Sequence, residues 1–177
     1  MLPRTQAISQ DGHDIGDVIA LGITKDHVVC EIGTGTGYFA LRLAKLAAWV
    51  YAIDVEPQLL SLLRDRTASA GVQNLTPVLG LPLDPMIPTA SCDLILTVNT
   101  LHHVPEKATY LRRLHRALRP GGRVVIVDFH KRDLPVGPPV DHKFGREECL
   151  EEIRDAGLRV VSEYDLLPYQ YFLVVGE

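Results

Sequence analysis

The segment Glu31-Ile32-Gly33-Thr34-Gly35-Thr36-Gly37 constrains this chain more than any other. It follows a β-branched apolar run at 28–32 and precedes 38–48, where Leu41, Ala44 and Leu46 or Ala48 fall at helical intervals. Glycines at such a junction let the backbone pass close to a ligand, and the start of the next helix offers N–H groups to an anion. Strand, glycine turn and helix in that order predict the first unit of a parallel α/β sheet with a nucleotide-type cofactor at its edge. Two cofactor classes use this turn. Dinucleotide sites want G-x-G-x-x-G; here the glycines are Gly33, Gly35 and Gly37, and Tyr38 stands at the third dinucleotide position. An NAD(P)-dependent oxidoreductase is thereby weakened but stays as the alternative.

The rest of the chain repeats the alternation. Residues 49–53 read as a second buried strand ending at Asp54, 56–70 as a helix stopped by Gly71, and 75–79 as a third strand. Pro82, Pro85 and Pro88 leave no room for a regular helix across 80–91. A fourth strand is predicted at 93–98, a helix at 106–118 and a fifth strand at 123–127 after the Gly121-Gly122 turn. These strands are continuous Val/Ile/Leu runs, so both sheet faces should carry helices. Residues 129–144, with Pro135, Pro138 and Pro139, form a candidate active-site loop. A helix at 145–156 follows, then strands at 158–164 and 169–175 too close together for a crossover helix. The fold expected is a doubly wound, mostly parallel α/β sheet with a C-terminal antiparallel hairpin, in a single domain over 1–177. Residues 1–26 would be a short N-terminal cover, with a helix around 14–21.

Bulk properties set the function classes aside rather than choosing one. With 177 residues, 46% hydrophobic, the chain can bury a core of its own, and a net charge of −4 gives no broad basic field for nucleic acid. Arg112, Arg113, Arg116 and Arg119 read as a solvated face balanced by acids. Cys30, Cys92 and Cys149 are widely spaced, which predicts neither a disulfide framework nor a zinc pair, and no metal site. A reducing cytosol fits that usage, and neither a leader pattern nor an apolar run of membrane-spanning length is present. The expectation is a cytoplasmic protein without membrane insertion, possible as a homodimer.

Residues 29–37, Val-Cys-Glu-Ile-Gly-Thr-Gly-Thr-Gly, resemble the first motif of the class I S-adenosylmethionine-dependent methyltransferases, of the type 11 kind. Asp54 matches the acidic position where that family binds the cofactor ribose. Asp93-Leu94-Ile95-Leu96-Thr97-Val98-Asn99 with Leu101-His102-His103-Val104 resembles its fourth-strand segment, and Leu118-Arg119-Pro120-Gly121-Gly122-Arg123 the turn to its fifth strand. Residues 127–131 and 167–172 resemble the branch that holds quinone-biosynthesis C-methyltransferases and arsenite methyltransferases. The resemblance implies a Rossmann-like fold, S-adenosylmethionine as cofactor, and a small-molecule methyl acceptor.

The same resemblance assigns cofactor contacts to Glu31, Gly33, Thr34, Gly35, Gly37, Tyr38, Asp54, Val55, Gly80, Leu81 and Asn99. The methionine carboxylate would lie near the N–H groups of 35–38, with Glu31 drawing the ammonium and Asp54 accepting both ribose hydroxyls. One departure concerns adenine: many relatives carry Gly-Asp after the third strand, and this chain has Gly80-Leu81. Either backbone groups at Gly80 and Leu81 or the Asp84 side chain would substitute. For catalysis, a base helps if the acceptor is a hydroxyl or an acidic carbon, and His102, His103 and His130 follow the fourth and fifth strands at the ligand-binding edge. Each could equally pack or cap a helix. An arsenite acceptor is disfavoured because neither Cys92 nor Cys149 has an evident thiol neighbour. Tyr169 and Tyr171 would share a strand face, lining the pocket or packing on a helix. A family member that binds cofactor without turnover is the remaining alternative.

Overall fold

A computed structural model describes residues 22–176; the predicted helix at 14–21 and most of the 1–26 cover lie outside them. Seven strands form one sheet: β1 Val28–Ile32, β2 Trp49–Asp54, β3 Leu75–Leu79, β4 Cys92–Val98, β5 Leu118–Phe129, β6 Arg159–Tyr164 and β7 Gln170–Gly176. Four α-helices among the described residues accompany them: α1 Ala40–Leu43, α2 Pro57–Ser69, α3 Lys107–Ala117 and α4 Arg146–Asp155. Short 3-10 turns lie at Leu101–His103 and Val140–His142. The order across the sheet is β3-β2-β1-β4-β5-β7-β6. β1 to β5 pair in parallel, and β7 alone runs the other way, antiparallel to both β5 and β6. The short connection between β6 and β7 returns the chain antiparallel, and β7 takes the place between β5 and β6.

Alternation along the strands explains why the sheet is covered on both sides. Cys30, Ile32, Ile95, Val124 and Ile126 point to one face and meet Leu111 and Leu114 of α3 and Cys149 and Ile153 of α4. Val29, Val50, Leu94, Leu96 and Val125 point to the other and meet Ala40 and Leu43 of α1 and Leu60 and Leu63 of α2. Both sets are almost wholly buried. β1 hands the chain leftward to β2, while β4 starts the rightward half, so the crevice between β1 and β4 is the topological switch point where ligands of such sheets bind.

Three expectations change. The helix at 38–48 contracts to Ala40–Leu43, since Gly37 at φ +82 delays its start and the bonds after Leu43 include i to i−3 turns from Lys45 and Leu46. β5 begins at Leu118 rather than 123: Cys92 pairs with Leu118 and Leu94 with Arg123, so Arg119, Pro120, Gly121 and Gly122 bow out of a continuing ladder. Cys30 and Cys92, 62 residues apart, are joined by a disulfide on the same face of neighbouring strands β1 and β4. The cysteine argument for a reducing compartment therefore falls. Cys149 is a buried free thiol, and burial pushes its pKa up to about 12.

Candidate active site

The glycine loop adopts left-handed backbone at each of its three glycines, with φ +73, +55 and +82 at Gly33, Gly35 and Gly37. Each glycine answers a different need. A Cβ on Gly33 would strike the Thr100 side chain, and one on Gly37 the Leu63 side chain of α2. At Gly35 a Cβ would meet nothing within 4 Å, because that residue borders an open cavity. The cavity has a volume of about 530 Å³ and lies at the carboxyl ends of β1, β2, β3 and β4. Among its walls are Gly33, Gly35, Asp54, Val55, Gly80, Leu81, Asn99 and His103.

Asp54 ties this wall together. Its Oδ2 accepts the Gly35 N–H at 2.8 Å and its Oδ1 the Glu56 N–H at 3.0 Å, which links the glycine loop, the end of β2 and the entry to α2. The N–H groups of Gly35 and Gly37 are both engaged, the latter by the Thr34 carbonyl at 2.9 Å. Glu31 lies beneath the loop, 3% exposed, and accepts the Thr34 hydroxyl at 2.7 Å. Burial pushes its carboxyl up to about 8, against the opposing pull of the Thr34 and Ala40 hydrogen bonds. Glu31, Thr34, Gly37 and Tyr38 thus sit under or behind the loop, while Gly33, Gly35, Asp54, Val55, Gly80, Leu81 and Asn99 face the cavity.

Asn99 takes φ +51, a conformation that asparagine tolerates better than most residues, and the Gln170 amide donates to its Oδ1 at 2.7 Å. Gln170 is 5% exposed at the start of β7. Sequence alone does not pair it with Asn99, which lies 71 residues away.

The three histidines are not brought together. His103 lines the cavity, and burial, then the adjacent His102, lowers its pKa below the usual 6.5. The His102 ring lies 4.1 Å away but turns to the fully buried Asp128, its Nδ1 within 2.9 and 3.0 Å of the two carboxylate oxygens. His130 borders a separate hollow with Lys131, Arg132 and Arg146. Asp128 had one sequence signal, an acid closing an apolar run, since a buried carboxylate needs a partner. Tyr171 is buried and donates its hydroxyl to the Phe144 carbonyl at 3.0 Å, whereas Tyr169 precedes β7 and is exposed, so the two do not share a pocket wall. The arginines behave as the solvated face expected, with Arg113 paired to Asp84 and Arg119 to Asp93.

This architecture and loop are shared with known proteins. Residues 30–126, more than half of the chain, match the methyltransferase domain family. The chain belongs to the S-adenosylmethionine-dependent methyltransferases. This methyltransferase is 30% identical to 27-O-demethylrifamycin SV methyltransferase of Amycolatopsis mediterranei, over 81% of the chain and 50% of that protein. It is 36% identical to the demethylmenaquinone methyltransferase of Tropheryma whipplei, over 62% of the chain and 44% of that protein. The methyltransferase chain thus spans about half the length of these curated relatives. In fold it matches a SAM dependent methyltransferase from Aquifex aeolicus with a TM-score of 0.86, over 98% of this chain and 92% of that one, at 22% identity. The dinucleotide-dependent alternative is not favoured. The cavity fits the cofactor of the family: its volume lies in the range of small-molecule sites, the open face of Gly35 leaves room for close approach, and a carboxylate borders it. No helix among the described residues is long and apolar enough to cross a membrane.

Proposed function

We propose that the methyltransferase passes the methyl group of S-adenosylmethionine to a small organic acceptor and releases S-adenosylhomocysteine. The observation that carries this reading is the convergence of Gly33, Gly35, Asp54, Asn99 and His103 on one cavity at the carboxyl edge of the sheet. In this reading Asp54, anchored by two N–H groups, accepts the ribose hydroxyls with its remaining lone pairs. Val55 and Leu81 pack on the base. Asn99, held by Gln170, offers its amide beside the methionine end, and Glu31 supplies negative charge under the loop for the ammonium. The bound cofactor supplies an already reactive methyl group on sulfonium sulfur, which leaves the protein to align the acceptor and exclude water.

His103 is the base in this proposal. It faces the cofactor cavity, and its lowered pKa keeps the ring neutral and able to take a proton from a hydroxyl or acidic carbon near neutral pH. His102, fastened to Asp128, is a positioning residue for the turn that carries His103. One relative is named 27-O-demethylrifamycin SV methyltransferase and one demethylmenaquinone methyltransferase, which supports an oxygen-bearing organic acceptor such as a quinol or phenol. Arsenite is not favoured: Cys30 and Cys92 are joined and Cys149 is held as a buried thiol. S-adenosylmethionine is an intracellular metabolite, which supports a cytoplasmic setting in which complete burial shields the Cys30–Cys92 bond from reductants; assembly as a homodimer belongs to the same proposal. The test is calorimetry with S-adenosylhomocysteine and NADH, followed by transfer of radiolabelled methyl to a panel of quinols and phenols. We expect micromolar binding of S-adenosylhomocysteine alone, its loss in Asp54→Ala, and labelled product. NADH binding in its place would overturn the cofactor reading; binding without transfer to any acceptor would overturn turnover.

A further inference from the structure

The base-binding end of the cavity lacks the carboxylate that relatives place after β3, and most of the groups at Gly80, Leu81 and Asp84 expected to replace it are engaged elsewhere, the Leu81 carbonyl by the Asp84 N–H at 3.1 Å. The Gly80 N–H donates to the Asp54 carbonyl at 2.9 Å and the Leu81 N–H to the Asp84 carbonyl at 2.7 Å. The Asp84 carboxylate accepts the Met86 N–H at 2.9 Å, pairs with Arg113, and does not border the cavity. Leu81 and Pro82 offer only apolar surface there.

Among the buried side chains that line the cavity, one polar group is uncommitted. Tyr110, on the first turns of α3, borders the cavity with its side chain almost wholly buried at 4% exposure. Its hydroxyl has no hydrogen-bond partner among the described residues, although every fully sealed side-chain polar atom there has one. The hydroxyl is therefore not fully sealed, on a residue that lines the cavity. A buried tyrosine normally finds a partner for its O–H, so an unfilled one facing a ligand site marks where a ligand atom completes it.

We propose that the Tyr110 hydroxyl receives the 6-amino group of the cofactor's adenine and replaces the missing carboxylate. The inference rests on the cofactor reading above. With the ribose at Asp54, the far edge of the purine is the one that carries the amino group, and that group, a pure donor, needs an acceptor. A phenol oxygen accepts. Burial, with Asp84 and Asp54 nearby, also raises the Tyr110 pKa, so the group stays an uncharged phenol through the working pH range.

The experiment compares two ligands against two proteins by calorimetry: S-adenosylhomocysteine and its purine-riboside analogue lacking the 6-amino group, with the unaltered chain and Tyr110→Phe. Phenylalanine keeps the ring and removes only the oxygen. A neutral hydrogen bond of ordinary net strength predicts that Tyr110→Phe binds S-adenosylhomocysteine roughly three- to tenfold more weakly. The same variant should bind the deaminated analogue as the unaltered chain does. Equal losses on both ligands, or none on either, would overturn the proposal. Failure of the unaltered chain to bind S-adenosylhomocysteine at all would instead overturn the cofactor reading.

Discussion

Replacing Glu31 by glutamine should make the ligand-free protein more stable and a poorer binder of its cofactor. The side chain is 3% exposed, its only side-chain partner among the described residues is the Thr34 hydroxyl, and its pKa is pushed from 4.5 up to about 8 by burial. In the unfolded chain the carboxyl ionises freely above its ordinary value, whereas the fold holds the proton until the higher one. Between the two the folded state carries the extra proton, and stability falls as pH rises. Glutamine keeps an oxygen for Thr34 and has no proton to lose. Integrating the difference at about pH 7 gives a stabilisation of roughly 3 kcal/mol for Glu31→Gln, shrinking to less than about 1 kcal/mol near pH 5. For a domain of this size the larger value raises the melting midpoint by roughly 6–12 °C. Calorimetric melts of both proteins, without ligand, at the two pH values measure it. A stabilisation that is absent, or equal at both pH values, would refute the buried-proton argument. The binding half has its own sign: an arriving ammonium ionises Glu31, so affinity for S-adenosylhomocysteine should rise between about pH 6 and pH 8 and then level off. Glu31→Gln should abolish that rise.

Two further predictions separate packing from binding and locate the base. Gly33→Ala forces a Cβ into Thr100 at φ +73 and should lower stability by roughly 1–3 kcal/mol in urea unfolding. Gly35→Ala meets open space and should cost stability less while it blocks cofactor binding, so equal unfolding losses for the two would contradict the division of labour in the loop. His103→Ala should retain S-adenosylhomocysteine affinity and lose turnover. The lowered pKa of His103 also predicts that kcat holds as pH falls below 6.5, the ordinary histidine value, before the base is protonated; a limb centred above that value would point to another group.

Much of the site was legible from local pattern because local pattern sets it. The positive φ at Gly33, Gly35 and Gly37 is a local backbone need, although the clashes that also exclude a Cβ at Gly33 and Gly37 come from distant residues, and Asp54 ends a strand whose apolar run is visible by eye. The continuous Val/Ile runs predicted two covered faces, and alternate residues do divide between two cores. The short α1 was not legible, since helical spacing alone does not register the positive φ at Gly37 that delays it.

What the amino-acid order determined by itself was the succession of strands, turns and helices and the glycine loop of a nucleotide-type cofactor, for these depend on propensities and spacings within about ten residues. Tertiary structure decided which side chains share a space. It sent His102 to Asp128 and left His103 at the cavity, set Gln170 against Asn99 across 71 residues, and joined Cys30 to Cys92. It also set the largely buried Tyr110 at the edge of the cavity with no hydroxyl partner among the described residues. Sheet order brings such pairs together, and sheet order is a property of the packed whole, because neighbouring strands come from distant parts of the chain and only their register assigns each residue its neighbour.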